Sequence, residues 1–132
     1  RWSCLIYLKM PDGRRETGNQ GEALAAEYLL QHGFSVLQRN FRTREGEIDI
    51  IAQKGDVLVF FFFLTLPNGT QELLSRVLDG RKQRRIVKTA QRFLAIHRQY
   101  SNNYIRFDVI VIGMPGVKQV YHIENAFIAE LL

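Results

Sequence analysis

Apolar and polar positions follow two different rhythms along this chain. From Asn19 to Gln31 the residues Ala25, Tyr28 and Leu29 recur at helical spacing and predict a first helix. Asn19 can cap it, Glu22 stands three residues later as in a capping box, and Gly33 is placed to stop it. Phe34–Phe41 then predicts a strand, Gly46–Gln53 a second and Val57–Thr65 a third. The short Lys54-Gly55-Asp56 turn makes the second and third strands an antiparallel hairpin. The third strand is apolar at consecutive positions, as expected of a central strand covered by helices on both faces.

Beyond a Pro67-Asn68-Gly69-Thr70 loop, a short helical piece is expected at Gln71–Leu78, broken by Asp79-Gly80. Arg81–Tyr100 predicts a strong helix with Ile86, Ala90, Phe93, Leu94 and His97 on its apolar face. Strands follow at Tyr104–Ile112 and Lys118–Glu124 around a turn at Gly113–Gly116, and Ala126–Leu132 reads as a short closing helix. The order α-β-β-β-α-β-β predicts an α/β fold, a mixed central sheet flanked by helices. Residues 18–132 read as one domain, and residues 1–17 as a leader or first short strand. The apolar stretch from Trp2 to Met10 is too short for a secretory signal.

Charge changes this picture. The net charge is +5, yet the segment from Arg81 to Asn103 holds seven basic residues and no acid. That leaves −2 for the remainder, so one basic element sits on a near-neutral body. Arg81, Lys82, Arg84, Arg85, Lys88 and Arg92 suit phosphate contacts, which supply affinity without reading sequence. A solvated helix face and a surface for an acidic protein are the competing readings. The single cysteine, Cys4, excludes an intrachain disulfide and a multi-cysteine zinc site, and fits a reducing, cytoplasmic setting. The longest apolar run, Val57–Leu66, is about half of a membrane span, so no membrane partner is expected.

Few residues carry candidate chemistry. Glu47 and Asp49 share one face of the second strand, about 7 Å apart, and such a pair can help to hold a hard divalent cation. The plainer reading is the polar side of a half-buried strand. Glu22 is either a capping glutamate or an inward-facing carboxylate at the rim of a site. Asp108 is expected to pair with Arg106 on its own strand face. His32, His122 and Cys4 have no partners at useful spacing.

Six ordered segments resemble the bacterial YraN family, a group assigned to the PD-(D/E)xK, restriction-endonuclease-like superfamily. They are Gly18–Leu29, Gly33-Phe34 with Arg39-Asn40-Phe41-Arg42, Gly46–Ile51, Lys82-Gln83-Arg84-Arg85, Arg106-Phe107-Asp108-Val109 and His122–Phe127. The resemblance implies a restriction-endonuclease-like fold, a nucleic-acid substrate (DNA ahead of RNA), and hydrolysis assisted by Mg2+ or Mn2+. Asp49 matches the site aspartate, and Glu22 a helical glutamate near the metal. The Glu-x-Lys pair should follow Val59-Phe60-Phe61, where this chain has Phe62-Phe63-Leu64. Phenylalanine and leucine offer no metal ligand, proton or cation. Three explanations stay open: a protein that binds without cutting, a role moved to Glu47, Glu72 or Lys82, or a locally altered stretch between intact motifs. The expectation is a nuclease-fold, nucleic-acid-binding protein with lost or weak cleavage. The alternative is a non-catalytic protein-interaction module that uses the basic helix.

Overall fold

A computed structural model describes residues 23–65, 79–112 and 120–127. Glu22, residues 1–17, the Gln71–Leu78 piece, the Gly113–Gly116 turn and residues 128–132 lie outside the described residues. The described elements are helix α1 (23–31), β1 (Ser35–Arg42), β2 (Glu47–Lys54), β3 (Val57–Thr65), helix α2 (Gly80–Ile96), a 3-10 turn (Arg98–Tyr100), β4 (Tyr104–Ile112) and β5 (Val120–Phe127). They form one five-stranded sheet in the order β1-β2-β3-β4-β5. Neighbours are antiparallel except β3 and β4, which are parallel and joined through α2. The architecture is the α/β, α-β-β-β-α-β-β mixed sheet expected from the sequence, consistent with a nuclease-like fold. Among the described residues no helix is long and apolar enough to cross a membrane.

β3 organises two cores. Leu58, Phe60, Phe62 and Leu64 point to one face, where Ile86, Val87, Ala90 and Phe93 of α2 meet them. Val59, Phe61 and Phe63 point to the other, where Ala25, Ala26 and Leu29 of α1 close over them. Alternation on a strand sends neighbours to opposite faces, so a strand apolar throughout must be covered twice. The rings interlock within the α2-side core: Phe60 stacks on Phe107 at 5.5 Å and meets Phe93 edge-on at 5.9 Å.

Local chemistry sets the element ends. Gly33, at φ +84°, ends α1 in a Schellman motif, with the Phe34 N–H on Leu29 O and the Gly33 N–H on Leu30 O. Gly55, at φ +60°, makes the β2–β3 turn. Asp79, expected only as a breaker, caps α2: its carboxylate accepts from the Lys82 N–H at 3.0 Å. That hydrogen bond, with the nearby Lys82 and Arg81 charges, holds Asp79 below its usual range against the cost of desolvation.

Two expected boundaries are corrected. α2 stops at Ile96 instead of running to Tyr100, with His97 at φ −110°, ψ 74°. Seven residues along a continuous helix separate by about 10 Å. The break folds Tyr100 back onto Phe93, with ring centroids 6.0 Å apart. At the other end, Ala126 and Phe127 belong to β5, not to a closing helix, while the expected strand start at Lys118 lies outside the described residues. Asn125, at φ 52°, lies at an irregularity that keeps Phe127 paired with Phe107, their rings stacked at 5.0 Å.

Phe60 is among the largest fully buried side chains of the α2-side core and meets both Phe93 and Phe107. Phe60→Ala should therefore lower the unfolding free energy by about 3–5 kcal/mol, read from urea denaturation at unchanged m-value.

Candidate functional site

The expected catalytic aspartate lies where a strand pair comes apart. The β2–β3 ladder is in register from Lys54↔Val57 to Ile50↔Phe61. At the next step Asp49 Oδ2 accepts from the Phe63 N–H at 2.7 Å. The carboxylate thus takes the acceptor place of a main-chain carbonyl, and it does so 2% exposed. Glu47, also buried, pairs with Arg42 across the β1–β2 ladder. Neither residue sits on a solvated polar strand side; β2 is buried from Glu47 to Ala52.

Phe62 and Leu64 flank Phe63, whose N–H Asp49 accepts, and each is 1% exposed and part of the α2-side core. The fit to a metal is poor. A hard cation takes six or more oxygen ligands, and magnesium demands near-ideal geometry. Here Asp49 turns one oxygen to a backbone amide, Glu47 is bound to Arg42, and the positions of the missing pair are hydrocarbon. Among the described residues no three His, Cys, Asp or Glu side chains are grouped to hold a metal ion. Glu22 and Glu72 lie outside the described residues.

The basic helix is placed as the sequence suggested. Arg81, Arg84, Arg85, Lys88 and Arg92 are exposed, and Lys82 is half-buried at the edge. Positions 81, 84, 85, 88 and 92 fall on one helical stripe about 16 Å long. Arg92 is engaged within the protein, donating from Nη2 to Glu45 Oε1 at 2.9 Å. Arg98 is exposed but belongs to the 3-10 turn, off the helix. His97 lies against the Phe93 ring, and among the described residues no metal-binding group includes it.

A third cluster escaped the sequence reading. Asp108, fully buried on the α1 side of β4, accepts from Arg106 Nε and Nη2, each at 2.8 Å, from the Asn125 N–H at 2.9 Å and from His122 Nε2 at 2.6 Å. The pairing with Arg106 was expected; the role of His122 was not. The other ring nitrogen of His122, Nδ1, lies 3.2 Å from the Tyr28 hydroxyl. Burial first, then the charges of Glu124 and Asp108, push the Tyr28 hydroxyl above its usual pKa, so it keeps its proton. The cluster ties α1, β4 and β5 together next to Phe34 and Phe61. Tyr28 and His122 are 94 residues apart, so no local spacing announces them. The available signal was Asp108 itself, an acid between Phe107 and Val109 in an apolar strand, which needs partners when buried.

A five-stranded mixed sheet with a helix on each face and a basic crossover helix defines an α/β domain of nuclease-like type. The model of the uncharacterised protein family UPF0102 matches residues 21–112. A UPF0102 protein of Treponema denticola is 41% identical over 121 residues, covering 83% of this chain and 93% of that one. One from Geobacter metallireducens is 42% identical over 114 residues, covering 86% and 93%. One from Treponema pallidum (strain Nichols) is 39% identical over 122 residues, covering 89% and 97%. The chain belongs to this family, the YraN group that its motifs resemble.

The Asp108 cluster sets an acid limit on stability. Burial pushes Asp108 up, but the bonds from His122, Arg106 and the Asn125 N–H outweigh it and hold the carboxyl below its usual range. A depressed carboxylate stabilises the fold above its unfolded value, about 3.9, and that contribution is lost as pH falls through the lower folded value. Asp108→Ala should cost roughly 3–5 kcal/mol at pH 7. It should also flatten the loss of stability below about pH 4, measured by urea denaturation across pH. A wild-type slope retained in the variant would place the acid-sensitive group elsewhere.

Proposed function

We propose that this chain is a nucleic-acid-binding domain of nuclease-like fold, working in the bacterial cytosol, that holds duplex phosphate backbones on α2 without cutting them. The observation that carries this reading is the exposed stripe of Arg81, Arg84, Arg85 and Lys88, in a segment without a single acid from Arg81 to Asn103. Cations repeated along one helix face meet phosphates spaced along a strand, and such contacts fix position without reading bases. The resemblance to metal-dependent nucleases supports DNA as the first ligand to test. The burial of Phe62 and Leu64 supports binding without Mg2+- or Mn2+-dependent hydrolysis.

Salt dependence tests the reading. With Arg81, Arg84, Arg85 and Lys88 as the contacts, log affinity for a random duplex should fall against log salt with a slope of roughly −3.6. Arg84→Gln with Lys88→Gln should flatten that slope by about two, with fluorescence anisotropy as the readout. An unchanged slope would move the nucleic-acid surface away from α2. Tighter binding to polyglutamate than to duplex DNA would favour an acidic protein as the partner.

A further inference from the structure

The α2 stripe is not electrically uniform. At its C-terminal end Arg92 meets Glu45, a residue 47 positions earlier in the chain. Glu45 is held there by a built turn between β1 and β2. The Thr43 N–H bonds to Gly46 O at 2.8 Å and closes the turn, and the Glu45 N–H bonds to Thr43 Oγ1 at 3.2 Å. The turn rests on α2 through the Thr43 and Thr89 hydroxyls, 3.4 Å apart, and the buried Thr89 donates in turn to Arg85 O at 2.8 Å. A groove beside the pair is lined by Glu45, Lys88, Gln91, Arg92 and Ala95. Lys88 and Arg92 are one helical turn apart and share this groove, and the Glu45 carboxylate engages the Arg92 end of it. Hydrogen bonds from Thr43 and from its own backbone, with a smaller help from Arg92, hold Glu45 below the usual carboxylate range despite some desolvation, so it stays ionised.

We propose that Glu45 is an internal phosphate mimic that withholds Arg92 from nucleic acid and so sets the affinity of the α2 surface. The proposal rests on the nucleic-acid reading of α2. A phosphate that approaches Arg92 meets a pair of zero net charge, not a free cation. Binding there must displace a carboxylate of the same charge and similar geometry. An exposed ion pair of this kind is weak, so the contact tunes binding instead of blocking it. Any ligand, modification or pH change that neutralises Glu45 adds one phosphate contact to the surface.

Glu45→Gln keeps the size of the side chain and an acceptor for Arg92 but removes the charge. It should steepen the salt slope for a random DNA duplex from roughly −3.6 to roughly −4.5 and raise affinity about fivefold at 0.1 M salt. In an Arg92→Gln background the same substitution should change neither quantity, because the cation it releases is gone. Equal melting temperatures of Glu45→Gln and wild type verify the turn. If the single variant melts lower, Glu45→Asp, which keeps the charge, serves as its control and should leave the slope at the wild-type value. Steepening that is absent in Glu45→Gln, or equally large with and without Arg92, overturns the gate while leaving nucleic-acid binding in place. The absence of duplex binding by wild type and Glu45→Gln alike overturns both.

Discussion

The structure depends on a strand that is apolar on both faces. β3 has no polar side to give to solvent, so the chain must supply a helix above and a helix below it. The parallel β3–β4 pair makes one of those helices obligatory in the chain path, since parallel neighbours need a long crossover connection. α2 is that crossover, and its apolar stripe covers Phe60, Phe62 and Leu64. Its opposite face is thereby left to water and to cations. The basic surface and the hydrocarbon core are two sides of one helix, and neither can be moved without the other.

The same constraint governs the two positions where the resemblance to nucleases leads one to expect a carboxylate and a lysine. In the resembled nucleases a carboxylate and a lysine stand where Phe62 and Leu64 stand here. In this chain those side chains fill the α2-side core, and Asp49 has a main-chain amide as partner. Asp108 obeys a similar logic on the other side of the sheet. It lies where the β4–β5 register shifts and takes the Asn125 N–H, much as Asp49 takes that of Phe63. A buried carboxylate is costly unless it accepts hydrogen bonds, and an interrupted ladder is where main-chain donors need acceptors. Each deficit answers the other.

Much of this was legible in the residue pattern. β3 and β4 run over Val57–Thr65 and Tyr104–Ile112 as read, because each is a β-branched and aromatic run bounded by turn residues. The basic stripe was legible from helical spacing alone. Less legible were the ends whose position depends on a distant partner: Phe127 stays in β5 for Phe107, and α2 stops at Ile96 so that Tyr100 can return to Phe93. The Asp108–His122–Tyr28 cluster and the Glu45–Arg92 pair were not legible, since the sheet and the β1–β2 turn create them from residues far apart in sequence. The resemblance to nucleases pointed to Asp49, Phe62 and Leu64 but not to the bond between the Asp49 carboxylate and β3.

We propose that this member of the family binds nucleic acid without cutting it, since Phe62 and Leu64, where the resemblance expects a carboxylate and a lysine, are core side chains. This is tested most directly by incubating the protein with plasmid DNA in Mg2+ and in Mn2+ and following nicking on a gel. The account predicts no metal-dependent nicking beyond that of buffer. Robust cleavage that requires the metal and disappears in Asp49→Ala would contradict it, and would show that other residues had rebuilt the site around this aspartate.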